Sequence, residues 1–175
     1  MRPQSLHGGS ILLANKRSSL IYQPYGVVGI ISPWNYPFAI PFSEVVMALL
    51  AGNAVILKVA SNTLQVGRVL AAAFESLPLP EGLFHYIEIP GKEAGPAMIS
   101  GGVDKLFFTG STAVGRELMA LAAPRLLPLV LELGGADAAI IRADADLERA
   151  AAGLVWAGLS NAGQSCGGAQ RLFVH

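Results

Sequence analysis

Five side chains in this sequence have the chemistry and the setting for catalysis or ligand binding: Cys166, Glu132, Asn35, Lys58 and Ser111. Cys166 is the single cysteine and closes the stretch NAGQSC (161–166). Free cysteine is among the most buried residue types, so packing is one reading. The other is a nucleophile: Gly163, Gln164, Ser165, Gly167 and Gly168 are poor core formers, and a glycine-rich loop exposes a thiol to nearby backbone N–H groups. Glu132 stands inside LVLELGG (129–135), where a carboxylate is costly to bury unless it is paired or used. Lys58 ends the otherwise apolar AVILK (54–58), as a solvated rim lysine or a ligand contact. Asn35, in PWNYP (33–37), is a turn former or a hydrogen-bond donor to a ligand. Ser111, in FTGSTAVG (108–115), either caps a helix or helps its free N–H groups seat a pyrophosphate. The Gly110–Gly115 spacing departs from the usual G-x-G-x-x-G dinucleotide fingerprint.

The scaffold for these residues follows from the apolar runs. GVVGIIS (26–32) is short, β-branched and bounded by glycine, which predicts a strand buried on both faces. Residues 38–51 predict a helix stopped at Gly52-Asn53, and AVILK the next strand. A helix over 62–76, a strand over 84–89, a short helix over 93–100 and a strand over 105–110 follow, then a helix from Thr112. Strands over 127–133 and 138–142, a helix over 146–159 and a last strand at RLFVH (171–175) complete the series. Strand and helix alternate at the spacing of βαβ units. The expected fold is therefore α/β, a Rossmann-like parallel sheet with helices on both faces, followed by the first segment of a second α/β domain. Ahead of it, residues 10–26 (SILLANKRSSLIYQPYG) predict two short strands around a polar turn. Ligands of parallel α/β sheets bind beyond the carboxyl ends of the strands, so residues 32–37, 58–61, 109–112 and 132–135 should crowd one rim.

Bulk properties exclude several functions. With 53% hydrophobic and 14% charged residues the chain has the composition of a packed domain, not of a disordered one. Twelve basic and twelve acidic residues cancel, which leaves no global field to gather nucleic acid or anionic membrane. One cysteine forms no internal disulfide, the start MRPQSLHGGS has no apolar core of a signal peptide, and no window reaches the roughly 18 apolar residues of a spanning helix. The expectation is a cytoplasmic protein. His7, His85 and His175 lack ligand spacing, so no metal site is expected.

PWNYP, FTGST–VG, LELGG and NAGQSC, in this order and at roughly these spacings, closely resemble the aldehyde dehydrogenase superfamily, from about Leu20 to the last residue. The resemblance implies that Cys166 is the catalytic thiol, that Asn35 and the Cys166 N–H hold the oxyanion, and that Glu132 activates the water that hydrolyses the thioester. It implies NAD or NADP as cofactor and a small-molecule aldehyde as substrate. Ser111, beside Gly110 and the N–H groups opening its helix, would take the pyrophosphate. Lys58 would bond the adenosine ribose, with Ile31, Ser32 and Trp34 lining the same crevice, and Leu133 is a further cofactor position. Asn161 and Gln164 would shape the cysteine loop. Residues 1–25 would be an oligomerisation-type arm, 26–132 the dinucleotide-binding domain and 133–175 the start of the catalytic domain, in a longer enzyme that forms homo-oligomers. The truncated chain would itself be inactive.

Two departures from the family pattern bear on function. Many members carry glutamate three residues after the lysine, accepting from the ribose hydroxyls and repelling a 2′-phosphate. Here that position is Ser61, so NADP should be used at least as well as NAD. Ala136 follows LELGG where lysine is usual. The competing readings are a non-catalytic nucleotide-binding module of the same fold, and a relative that passes its acyl group to coenzyme A.

Overall fold

The computed structural model describes residues 4–6 and 15–175. Val27–Ile31 (β3), Ala54–Lys58 (β4), Phe84–Tyr86 (β5), Lys105–Gly110 (β6) and Leu129–Leu133 (β7) form one parallel sheet in the order β5-β4-β3-β6-β7. The chain thus leaves β3 toward one edge of the sheet and later resumes on its other side at β6. Such a reversal opens a crevice at the carboxyl ends of the two central strands.

Ala39–Leu50 (α1) and Leu64–Glu75 (α2) cover one face, where Val45, Ala48, Leu70 and Phe74 pack on Val28, Ile30, Val55 and Leu57. Gly91–Ser100 (α3) and Thr112–Ala122 (α4) cover the other, where Met98, Ile99 and Leu118 pack on Ile31, Leu106 and Phe108. Neighbouring residues of β3 and β6 therefore serve opposite cores, which is why these strands read as continuous apolar runs. Gly115 lets α4 close on β7: a Cβ there would stand 2.9 Å from Leu133 Cδ2. The glycine of FTGSTAVG at that position is thus a packing residue.

Asp137–Ile141 (β8), Leu147–Leu159 (α5) and Ala169–Val174 (β9) make a separate βαβ unit whose two strands are parallel. Its surface leaves Trp156, Leu159, Phe173 and Val174 exposed. No helix among the described residues is long and apolar enough to cross a membrane.

Several element limits shift from expectation, most clearly in three places. The strand expected over 84–89 stops at Tyr86, because its partner β4 ends at Lys58 and leaves residues 88–89 nothing to pair with. The strand expected from 127 begins at Leu129. Leu126 still holds a left-handed conformation and the Leu127 N–H bonds back to Ala122, so the chain is leaving α4 there. Within the expected hairpin over 10–26, Ser18–Leu20 (β2) is a strand, and it pairs antiparallel with Gln4–Leu6 (β1). The expected first strand, before Asn15, lies outside the described residues.

Candidate active site

The rim at the carboxyl ends of β3, β6 and β7 is closed by the cysteine loop. A cleft of about 260 Å³ there is lined by Asn35, Thr109, Ser111, Glu132 and Cys166, with Trp34, Gly110 and Leu133 also on its wall. Each side chain arrives by a different element. Asn35 comes from the loop after β3, Gly110 ends β6, Ser111 caps α4, and Glu132 lies one residue from the end of β7. The thiol and the Glu132 carboxyl are both exposed. A larger hollow of about 630 Å³ beside β8 and β9 holds none of these residues.

The cysteine loop is tied to the loop after β3 by two hydrogen bonds from side-chain amides. Asn35 Nδ2 donates to the Gln164 carbonyl at 2.8 Å, and Asn161 Nδ2 donates to the Asn35 carbonyl at 2.9 Å. Asn35 Oδ1 in turn accepts from the Tyr36 N–H at 3.1 Å, which fixes the direction of the amide. Asn161 and Ala162 both take left-handed backbone angles, φ 53° and 58°, ahead of Gly163 at φ 75°. Three successive left-handed residues turn the chain sharply out of α5 and present Cys166 to the cleft.

Ser111 is a helix cap: its Oγ accepts from the Val114 N–H at 3.3 Å. Capping and anion binding are compatible here, since the first turn of any helix has more N–H groups than one side chain can satisfy. A second hollow, of about 190 Å³, opens between α3 and α4 over Ile31 and Phe108, with Gly91 and Val114 on its wall. Lys58 is buried and extends along this same face, where its Nζ would lie 3.4 Å from a Cβ on Gly91. Burial lowers its pKa below the usual lysine range. Ser61 opens the short 3-10 turn Ser61–Thr63 after β4 and is exposed.

The residues expected to line one crevice therefore divide. Ile31 and Lys58 face the α3–α4 side, whereas Trp34 faces the thiol. The Ser32 side chain does neither. Strand alternation turns it to the α1 side, where it is buried and its Oγ donates to Glu44 Oε2 at 3.1 Å.

Glu44 is a site-adjacent residue that the apolar reading of α1 passed over. Burial pushes its carboxyl pKa up to about 7; Ser32 and Thr109 oppose that rise and the charge of Glu132 adds to it. Thr109 is close enough to favour the charged form of Glu44, yet its Oγ1 is buried without closing a hydrogen bond. A sequence signal was present: Pro41, Glu44, Val45 and Ala48 follow the i, i+3, i+4, i+7 pattern of a buried helical face, and all four are buried.

Residues 2–175 match the family model described as the aldehyde dehydrogenase family. The chain is 45% identical over 152 residues to a 4,4'-diapolycopene aldehyde oxidase of Methylomonas sp, covering 87% of this chain and 28% of that protein. It is 40% identical over 164 residues to a D-glyceraldehyde dehydrogenase (NADP(+)) of Picrophilus torridus, covering 93% of this chain and 33% of that one. The crystal structure of a succinate-semialdehyde dehydrogenase from Burkholderia pseudomallei superposes with a TM-score of 0.89 at 38% identity, over 99% of this chain and 36% of its own. The chain thus spans about a third of the length of the proteins it matches.

Proposed function

Because the chain belongs to the aldehyde dehydrogenase family, we propose that it carries the dinucleotide-binding and thiol-bearing parts of an enzyme that oxidises an aldehyde to its carboxylic acid with NAD(P)+. In this reading residues 1–25 form an arm, 26–132 bind the dinucleotide and 133–175 begin the catalytic domain. The observation that carries it is the meeting of Cys166, Glu132 and Asn35 in the cleft that Gly110 and Ser111 also line.

The residues present fit a dinucleotide. The first turn of α4 suits a pyrophosphate, and the hollow over Ile31, with the Lys58 ammonium on the same face, suits an adenosine. Trp34 and Leu133 supply apolar wall to the cleft that holds the thiol. Ser32, turned to Glu44, contributes from behind the site and not by its side chain.

Cys166 acts as its thiolate, the nucleophilic form of a cysteine side chain. Its sulfur attacks the aldehyde carbon, the C–S bond forms and the carbonyl electron pair moves to oxygen. The Asn35 amide and the Cys166 N–H stabilise that oxyanion. NAD(P)+ bound along Ser111 and Lys58 would supply the hydride acceptor for this carbon, which then remains on Cys166 as a thioester. Glu132 then accepts a proton from water as its oxygen attacks the thioester; the C–S bond breaks and the acid departs. Glu132 beside the thiol favours water over coenzyme A as the acyl acceptor.

Cys166→Ala in the full-length enzyme should abolish aldehyde oxidation while leaving dinucleotide affinity within about twofold, and Glu132→Gln should accumulate acyl-enzyme. Oxidation near the unsubstituted rate in Cys166→Ala would remove the nucleophile assignment. The 175-residue chain alone should turn over little aldehyde, because positioning contributes much of any enzymatic rate and the apolar surface of α5 and β9 stands uncovered. Sizeable NAD(P)-dependent oxidation by this chain would contradict that.

A further inference from the structure

Residues 134–136 connect β7, which carries Glu132, to β8, the first strand of the unit that carries Cys166. Little holds this connector. A Cβ at Gly134 would meet nothing within 4 Å, so packing does not fix it. Among the described residues its one hydrogen bond is from Arg171, whose Nε donates to the Ala136 carbonyl at 2.7 Å. The strand register slips beside this bond. Asp137 pairs with Ala169, Ala138 pairs with Arg171, and Gln170 is left over as a bulge, a device that re-aims neighbouring side chains. The Asp137 carboxyl fills the adjoining space: a Cβ on Gly135 would stand 3.2 Å from its Oδ1, and one on Gly167 3.7 Å from its Oδ2. Gly167 directly follows the thiol residue. The Arg171 bond closes a ring. Asn35 holds the Gln164 carbonyl, the chain runs through Cys166 to Arg171, and Arg171 holds Ala136. From there the connector returns to Glu132 on β7, in the same sheet as β3.

We propose that Arg171 is a positioning residue for thioester hydrolysis, which holds Glu132 in place relative to Cys166 by pinning Ala136 to β9. The proposal rests on the reading of Glu132 as the water-activating base. Two links set where thiol and carboxyl stand. The Asn35 bond fixes the cysteine loop against the loop after β3. The Arg171 bond fixes the other side of the ring, the connector that leads back to Glu132. Acylation needs the thiol and the Asn35 amide but no base on water, so it depends on the first link alone. Hydrolysis depends on both. A general base works only within hydrogen-bond reach of the water it deprotonates. A connector free to turn at two adjacent glycines, Gly134 and Gly135, would not keep the carboxyl there. A guanidinium suits the task because its planar fork offers donors of fixed direction. Arg171 touches no substrate in this role and carries no proton between groups.

The test uses the full-length enzyme with 4-nitrophenyl acetate and no dinucleotide. The nitrophenolate burst reads acylation of Cys166, the steady rate reads hydrolysis, and intact mass counts the acetyl-enzyme. Arg171→Met puts a methyl carbon where Nε stood. It should leave the burst rate within about twofold and slow hydrolysis by about tenfold or more, the scale of effect that a small misplacement produces. Arg171→Gln restores an N–H at the same position without the charge, and should recover hydrolysis to within about threefold. In a Glu132→Gln background Arg171→Met should slow hydrolysis no further, since no base is left to position. A structural role alone would slow acylation and hydrolysis together and would persist in that background. The proposal is overturned if Arg171→Met slows both steps alike, or neither. Should Arg171→Met fail to fold, Arg171→Ala is read by the same criteria. Glu132→Gln separates the two assignments: hydrolysis unchanged in that variant means Glu132 is not the base, and the proposal falls with it. Slow hydrolysis in Glu132→Gln together with unaltered hydrolysis in Arg171→Met removes Arg171 alone.

Discussion

The Asn35 amide donates to the Gln164 carbonyl at 2.8 Å, two residues ahead of the Cys166 thiol. A side-chain amide has two donor hydrogens, so this bond uses one and leaves the other for an oxyanion beside Cys166. In the proposed mechanism Asn35 has two tasks, holding the cysteine loop and stabilising charge, and substitutions separate them. Asn35→Ala should lose both and slow acylation of Cys166 by about 10²-fold or more, the usual cost of one oxyanion donor. Asn161→Ala removes only the bond to the Asn35 carbonyl and should cost about tenfold or less. Burst kinetics with 4-nitrophenyl acetate measure both, and equal losses in the two variants would make Asn35 a loop tether and nothing more.

The turn that delivers the thiol also makes a claim about backbone strain. Ala162 has φ 58°, a conformation that costs a residue with a Cβ about 1–2 kcal/mol relative to glycine. Asn161, at φ 53°, belongs to a residue type that tolerates it. Ala162→Gly should therefore stabilise the chain by about 1 kcal/mol or less, after the extra freedom glycine gives the unfolded state is set against it. Ala162→Val, β-branched, should destabilise by more than that. Urea midpoints give the order; a valine variant as stable as the glycine variant would show that the turn relaxes without cost.

These cases show what the sequence could reveal and what it could not. The bounds expected for β4 and β6 match the structure residue for residue, because each is a short apolar run between glycine, proline or helix-cap signals. Cys166, Glu132 and Asn35 were legible as members of motifs, and the structure brings all three to one cleft. Glu44 was legible only as a carboxyl on the buried face of its helix; strand register alone places Ser32, Thr109 and Glu132 in a row beneath it. Ser32 was assigned to the crevice beside Ile31 from the family resemblance, and strand alternation sends the two side chains to opposite faces. The β1–β2 pairing was hidden for another reason: its first strand is three residues long, too short to show a period.

Cofactor choice offers a test on one side chain. Ser61 stands exposed three residues after Lys58, whose Nζ lies toward Gly91. A serine hydroxyl donates to a phosphate oxygen, whereas an ionised glutamate only accepts and repels it. Hydrogen bonds to charged groups contribute about 1.5–3 kcal/mol, so a single one shifts preference roughly tenfold or more. The chain should bind NADP at least as tightly as NAD, and Ser61→Glu should shift the ratio of dissociation constants toward NAD by about tenfold or more. Titration with both dinucleotides decides the matter. A strong NAD preference that Ser61→Glu leaves in place would show that Ser61 does not face the 2′ position.

Burial of the Glu44 carboxyl makes stability depend on pH. Its pKa is raised to about 7 in the folded chain, chiefly by burial, from an ordinary value of 4.5. Below pH 4.5 the carboxyl is protonated in both folded and unfolded states, and its contribution to stability is fully present. Between the two values the unfolded chain releases the proton while the folded chain keeps it, so stability falls as pH rises. Above about 7 both states are ionised and the loss is complete. The shift corresponds to a loss on the order of 3 kcal/mol, an upper figure because a partly buried carboxyl is relieved by water and by Ser32. Glu44→Gln retains an amide acceptor for Ser32 but has no charge to bury. It should be no more stable than the unsubstituted chain at pH 5 and should gain on it progressively up to pH 8. Urea unfolding at pH 5, 6, 7 and 8 measures the difference directly; a constant offset across that range would mean that Glu44 does not titrate within it.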